Sequence, residues 1–281
     1  MNDATPPNAA VRVEEFACPR PDGSTMAIRV ARPAGNGPFP AVIDVHGGGW
    51  VMGDRTMNAL IDDTLAANGI IAAAPEFRMP PAARYPEPIA DIHLAIRWLK
   101  ANAEKLGSRA DLIGGVGTSS GGHQLLECVL RPDDARYGAL ALAGAAGVDA
   151  RLGYMVACWP VADPLKRFRY AQERANKNLL DAHAAYWPNE AAMADGNPQL
   201  VIERGAHGAL PPLLVLQGTN DDNLPADMAT GLTAAWRKAG GTATLHEFEG
   251  QPHTFVTRKP DDPASKEALR LMVEFIKAQT K

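Results

Sequence analysis

Cysteine is scarce in this chain of 281 residues: only Cys18, Cys128 and Cys158 are present. They are scattered, odd in number and lack C-x-x-C spacing, which argues against a disulfide framework and against a zinc site; buried apolar filling is the expectation. No run of 18 apolar residues occurs, so no ordinary membrane-spanning helix is expected. Basic runs are absent as well. The 28 Lys and Arg against 32 Asp and Glu leave a net charge of −4, which points neither to nucleic acid nor to insertion into an anionic membrane. Residues 1–10 are polar, carry two prolines and lack the charged and apolar regions of a secretory leader, so a disordered start and a cytoplasmic location are expected. No carboxylate or thiolate stands at ligand spacing from His46 or His123, so no metal is implied, and no organic cofactor either. The partner left by these exclusions is a small molecule, with a homodimer left open.

What is present is enough for a full core. The chain is 46% hydrophobic, and its length suits one large α/β domain over residues 1–281. Residues 10–18 and 26–31 read as two edge strands joined by a turn at Pro21, Asp22 and Gly23. Apolar runs at 41–45, 70–74, 112–116, 154–161 and 213–216 have the length and content of buried parallel strands, and 243–248 reads as another. Between them lie helical patterns at 57–68, 89–106, 122–130 and 225–240, with a last one at 264–279. Alternating strands and helices imply a mostly parallel central sheet with helices on both faces. Residues 165–209 break that rhythm and are expected to form a helical cap.

The stretch ending β-like residues 112–116 is the most informative. Gly117, Thr118, Ser119, Ser120 and Gly121 match G-x-S-x-G, the sharp turn that lifts a serine out between a strand and a helix. The glycines permit the backbone angles and let the following helix pack close. Centring the pattern on Ser120 puts Thr118 where a glycine belongs, so Ser119 is the candidate nucleophile. His123, further along the same helix, suits packing or hydrogen bonding. A second signal is His46, Gly47, Gly48, Gly49 and Trp50 after the run 41–45: successive glycines let main-chain N–H groups approach a ligand, as an oxyanion hole requires. Asp221 and His253 each follow a strand of their own. Gly48, Ser119, Asp221 and His253 therefore all fall beyond the carboxyl ends of strands, where such sheets build their sites. In this reading Ser119 attacks, His253 acts as general base and then acid, and Asp221 orients the imidazole; Asp222 and Asp163 are alternative acids.

On these residues the chain resembles the α/β-hydrolases of the hormone-sensitive-lipase-like carboxylesterase group, from about residue 12 to 277. His46 to Trp50 is similar to that group's oxyanion loop, 117–122 to its GDSAGG serine motif, 218–225 to a GTxDxxVP acid loop and 252–255 to an HxF histidine loop. Glu76, Phe77, Arg78 and Pro80 resemble its YRLAP segment. Thr118 and Ser120 stand where the group usually has Asp and Ala, and Phe77 and Met79 where it has Tyr and Leu. The acid loop also resembles feruloyl-esterase-like and peptidase-like relatives. The resemblance implies an α/β-hydrolase fold and a serine carboxylesterase working through an acyl-enzyme, with the N–H groups of Gly48, Gly49 and Ser120 as oxyanion donors. The N-terminal region is shorter than the group's usual cap-forming extension, which leaves 165–209 as the main lid. Trp50 with Phe168, Tyr186 and Trp187 suggests a confined, aromatic substrate pocket for short-chain or small aromatic esters. An amidase, lactonase or small-peptide hydrolase would use the same three residues, and a ligand-binding receptor could be built on the same fold.

Overall fold

The computed structural model describes residues 10–281; residues 1–9, which hold most of the expected disordered start, lie outside the described residues. Two long strands open the chain, β1 (Val11–Pro19) and β2 (Thr25–Pro33), paired antiparallel. The remaining strands are short: β3 (Ala41–Val45), β4 (Ile71–Pro75), β5 (Ile113–Thr118), β6 (Met155–Cys158), β7 (Leu213–Gly218) and, partly exposed at the far edge, β8 (Ala243–Phe248). They form one sheet in the order β1-β2-β4-β3-β5-β6-β7-β8. From β4 to β8 all neighbours run parallel, and β3 to β7 are buried along their whole lengths. That double burial explains why their sequences are continuous apolar runs rather than alternations.

One expectation is corrected at the sheet margin. β1 is an edge strand but β2 is not, because Ile28 to Ala31 pair antiparallel with β4 and are buried there. Arg29, the one charged residue of 26–31, has its guanidinium buried against Asp62 at 3.1 Å instead of facing water.

The helices are α1 (Ala59–Ala67), α2 (Glu87–Ala101), α3 (Ala103–Leu106), α4 (Ser119–Leu130), α5 (Pro164–Glu173), α6 (Lys177–Tyr186), α7 (Glu190–Asp195), α8 (Pro198–Glu203), α9 (Met228–Lys238), α10 (Phe255–Arg258) and α11 (Pro263–Gln279). α1 packs with α11, while α2, α4, α8 and α9 form a second group, so both faces of the sheet are covered. The helix expected over 89–106 is broken at Asn102, whose side-chain amide donates to the Trp98 carbonyl at 2.8 Å. An Asn that bonds its own backbone in this way competes with the helix ladder.

Between β6 and β7 lie four consecutive helices, α5 to α8, and their starts are written in the sequence. Asp163, Asn176, Asn189 and Asn197 are the N-caps, each side chain accepting the N–H of the residue three further on. Such caps contribute about 0.5–2 kcal/mol each, and Pro164 and Pro198 occupy first-turn positions where no N–H is needed.

A tight junction lies between α4 and the end of β3. A Cβ built on Gly121 would sit 2.2 Å from the carbonyl oxygens of both Val45 and His46. Gly121→Ala is therefore expected to lower stability by about 1–3 kcal/mol through backbone displacement, read as a shift in urea midpoint. Gly153→Ala, whose new methyl group would find its nearest neighbour at 3.5 Å, is the control expected to shift it far less. Equal shifts in the two variants would contradict the close-approach account.

Candidate active site

Ser119 ends the turn from β5 into α4 with φ +52°, a left-handed conformation that a non-glycine residue holds only when its surroundings enforce it. The enforcement is visible in the close approach at Gly121 and in a Cβ position on Gly47 only 3.1 Å from the Ser119 Cβ. The turn aims the hydroxyl at His253, which follows β8: Oγ lies 2.9 Å from Nε2. On the other side of the ring, Nδ1 is 2.6 Å from Oδ2 of Asp221, which follows β7. The structure thus brings together Ser119, Asp221 and His253 from three separate strand ends. With Nδ1–H donating to the carboxylate, Nε2 is left as the acceptor for the serine proton.

Asp221 is almost fully buried, and burial works against its charge. Hydrogen bonds outweigh it: besides His253, the Gln217 side-chain amide donates to Oδ2 at 2.9 Å and the Asn223 N–H to Oδ1 at 2.8 Å. Together with the His253 ring they hold the carboxyl below its ordinary pKa. Neither alternative acid is hydrogen-bonded to the His253 ring. Asp163 caps α5 through Lys166 N–H and accepts from Asn197, and Asp222 is exposed to solvent.

The loop after β3 carries three consecutive residues in the left-handed region, Gly48 (φ +104°), Gly49 (φ +63°) and Trp50 (φ +69°). Gly48 is irreplaceable on space alone, since a Cβ there would meet the Met52 carbonyl oxygen at 1.9 Å. Its carbonyl accepts the N–H groups of Val51 and Met52, both at 3.2 Å, which fixes the curl of the loop. Among the described residues no protein acceptor takes the N–H of Gly48 or Gly49. Ser120, at the start of α4, is buried, and its Oγ accepts the Trp50 N–H at 3.1 Å, tying the glycine loop to the serine helix. That contact gives the second serine's hydroxyl oxygen a structural partner.

A cavity of about 400 Å³ opens at this point, with Gly48, Gly49, Ser119 and His253 on its wall. Trp50, Phe168, Tyr186 and Trp187 do not line it. Three of them are buried in a cluster of their own: Trp50 stacks on Tyr186 with centroids 5.3 Å apart and meets Trp187 edge-on at 5.7 Å. Phe168 packs on His183 at 5.4 Å. The physical reason is burial of large apolar rings against one another, which outweighs display to a ligand. The cluster joins the glycine loop to α6, and His123 completes it: Trp50 Nε1–H donates to Nδ1 at 3.1 Å and Nε2 faces the Gly196 carbonyl at 2.8 Å. Burial lowers the His123 pKa to about 3, so it stays neutral in this bridge.

The cavity wall instead includes Trp159, Asn178, Leu179, Ala182, Asn223 and Arg167, most of them from α5 and α6 or the acid loop. Sequence reasoning missed them; the caps at Asp163 and Asn176, which set the rotation of these two helices, were the available signal. Among the described residues no group of three or more His, Cys, Asp or Glu side chains is arranged to hold a metal ion, and no helix is long and apolar enough to cross a membrane.

Comparison with known proteins matches the family described as BD-FAE to residues 29–235. Esterase LipC of Mycobacterium tuberculosis is 30% identical over 225 residues, covering 78% of this chain and 53% of LipC. Ethyl acetate hydrolase of Pseudomonas putida is 32% identical over 170 residues, covering 59% of this chain and 50% of that enzyme. The chain thus spans about half the length of these curated relatives. Among solved structures, a hyperthermophilic esterase from Pyrobaculum calidifontis superposes with a TM-score of 0.78 at 23% identity, covering 95% of this chain and 85% of the other. This likeness identifies the α/β-hydrolase fold.

A pH test follows from the Asp221 environment. Its folded pKa lies below the unfolded value of about 3.9, so the hydrogen-bonded carboxylate stabilises the fold above that value and the contribution is lost as pH falls through the folded pKa. The gap in unfolding free energy between wild type and Asp221→Asn, from urea titrations, is expected to narrow between pH 5 and pH 2. A gap constant over that range would contradict the depressed pKa.

Proposed function

The chain belongs to the BD-FAE family, on the α/β-hydrolase fold, and on that premise we propose that it is a serine-dependent carboxylic ester hydrolase acting on small esters. The observation that carries this reading is the single imidazole of His253 spanning Ser119 and Asp221 at hydrogen-bond distance on both sides. The names of the relatives, an esterase and an ethyl acetate hydrolase, support the same chemistry.

In the proposed reaction the Ser119 Oγ attacks the ester carbonyl carbon while its proton passes to His253 Nε2. The Asp221 carboxylate holds Nδ1–H and balances the imidazolium. Negative charge on the former carbonyl oxygen is met by the N–H groups of Gly48, Gly49 and Ser120, the first two being without protein acceptors. Collapse breaks the bond to the alcohol oxygen, which takes the proton from His253 and leaves. Water, deprotonated by the same imidazole, then releases the acid and restores Ser119. Helices α5 to α8 serve as the cap, α5 and α6 supplying cavity wall, and the cavity volume of about 400 Å³ favours short acyl chains over long lipids.

Initial rates on p-nitrophenyl esters of increasing acyl length test the assignment. Cleavage is expected to be fastest for the shortest chains, and Ser119→Ala to reduce it by at least ~10⁴-fold. Gly48→Ala is expected to cost ~10²-fold or more in kcat by displacing an oxyanion donor. Full activity in Ser119→Ala, or no ester cleavage by the wild type, would overturn the proposal; the latter would direct attention to amides and lactones.

A further inference from the structure

Arg167, on α5, takes no part in the reaction just described, although it shares the cavity wall with Ser119 and His253. Only 1% of its surface is exposed, yet none of its polar partners is charged. Nε–H donates to the Asn223 carbonyl at 3.2 Å, one terminal nitrogen to the Asn223 side-chain oxygen, and the other to His183 Nε2 at 3.3 Å. His183 is itself neutral, since burial and then the neighbouring guanidinium push its pKa far down. Burial lowers the Arg167 pKa only to about 10, so it remains a cation at neutral pH.

The other deeply buried arginines are treated differently. Arg20 is paired with Asp91 at 3.0 Å and Arg29 with Asp62 at 3.1 Å. Among the described residues no carboxylate forms an ion pair with Arg167; partial compensation comes from the face of the Trp50 ring, 5.2 Å from the guanidinium carbon, and from the field of the Asp221 carboxylate, whose own hydrogen bonds go to His253, Gln217 and Asn223. Burying a cation without a carboxylate paired to it is costly, and holding α5 against the acid loop does not by itself demand a charge. The cavity has no acidic residue on its wall, and its other charged residue, Arg258, is again a cation, in a chain of net charge −4. Three of the five N–H donors of Arg167 are used, which leaves one on each terminal nitrogen, the fork that matches a carboxylate.

Resting on the ester-hydrolase reading above, we propose that Arg167 is a specificity residue that receives a carboxylate on the substrate, so that the preferred substrates are acidic esters. The ester and the anion then belong to one small molecule. Its carboxylate lies on the acyl side, as in a half-ester of a dicarboxylic acid, or on the alcohol side, as in an acylated hydroxy acid. The shared chemistry is a carboxylate carried within the same cavity as the scissile bond.

Two substrate series separate the sources. Monoethyl succinate is compared with ethyl 4-methylpentanoate, and 4-acetoxybutanoate with 4-methylpentyl acetate, each pair exchanging a carboxylate for an isopropyl group of the same shape. The wild type is expected to prefer the acidic member of one pair by about tenfold or more in kcat/KM, the scale of one charge-assisted contact. In Arg167→Gln that ratio is expected to collapse towards one, whatever happens to the absolute rates, while Arg167→Lys keeps part of it. Cleavage of the neutral esters without preference for either acidic partner would overturn this proposal and leave the ester-hydrolase reading intact. Failure to cleave any ester would overturn both. Should Arg167→Gln not fold, the wild-type ratios still decide, and a preference abolished by Arg258→Gln but kept in Arg167→Lys would move the anion site to the exposed arginine and contradict the assignment.

Discussion

The approach of helix α4 to the end of β3 is closer than a side chain allows, and the geometry of the site is built on that contact. With Gly121 against the carbonyls of Val45 and His46, the chain between β5 and α4 has no room to relax, and Ser119 is held at φ +52°. The same contact brings the start of α4 beside the glycine loop after β3, so one packing constraint places the candidate nucleophile next to N–H groups from two elements. Strain of this kind costs on the order of 1–3 kcal/mol per residue. It is borne by a sheet whose central strands are wholly buried.

From that junction order spreads through polar contacts rather than through the sheet. Ser120 holds the Trp50 backbone, Trp50 holds His123, and His123 holds the Gly196 carbonyl between α7 and α8. On the opposite side Asn223 serves two masters: its N–H steadies Asp221, and its carbonyl and side chain hold Arg167. The acid loop and the wall of the cavity are therefore positioned by one residue. A shift of α5 would therefore reach the Asp221 carboxylate through Asn223.

Much of this was legible in the sequence, and for definite reasons. The continuous apolar runs at 70–74 and 213–216 could be read because burial on both faces leaves few polar positions to interrupt them, and they overlap β4 and β7. Ser119, Asp221 and His253 stood out because each follows a strand of its own. The break at Asn102 was hidden, since one side-chain amide, not a change in hydrophobic period, ends α2. Trp50, Tyr186 and Trp187 were visible as aromatics, but composition cannot say whether rings face a ligand or one another. Arg167 lies among Lys166, Arg169 and Tyr170, a setting that reads as a solvated helix face; only the fold turns it inward under α6 and the acid loop.

The claim on which the functional account depends is that the strained turn delivers one activated serine, and covalent trapping tests it most directly. The protein would be treated with a p-nitrophenyl alkylphosphonate, and the modified peptide mapped by mass spectrometry. The account predicts release of one equivalent of p-nitrophenol and a single adduct on Ser119. An adduct on Ser120, or no adduct at all, would contradict it.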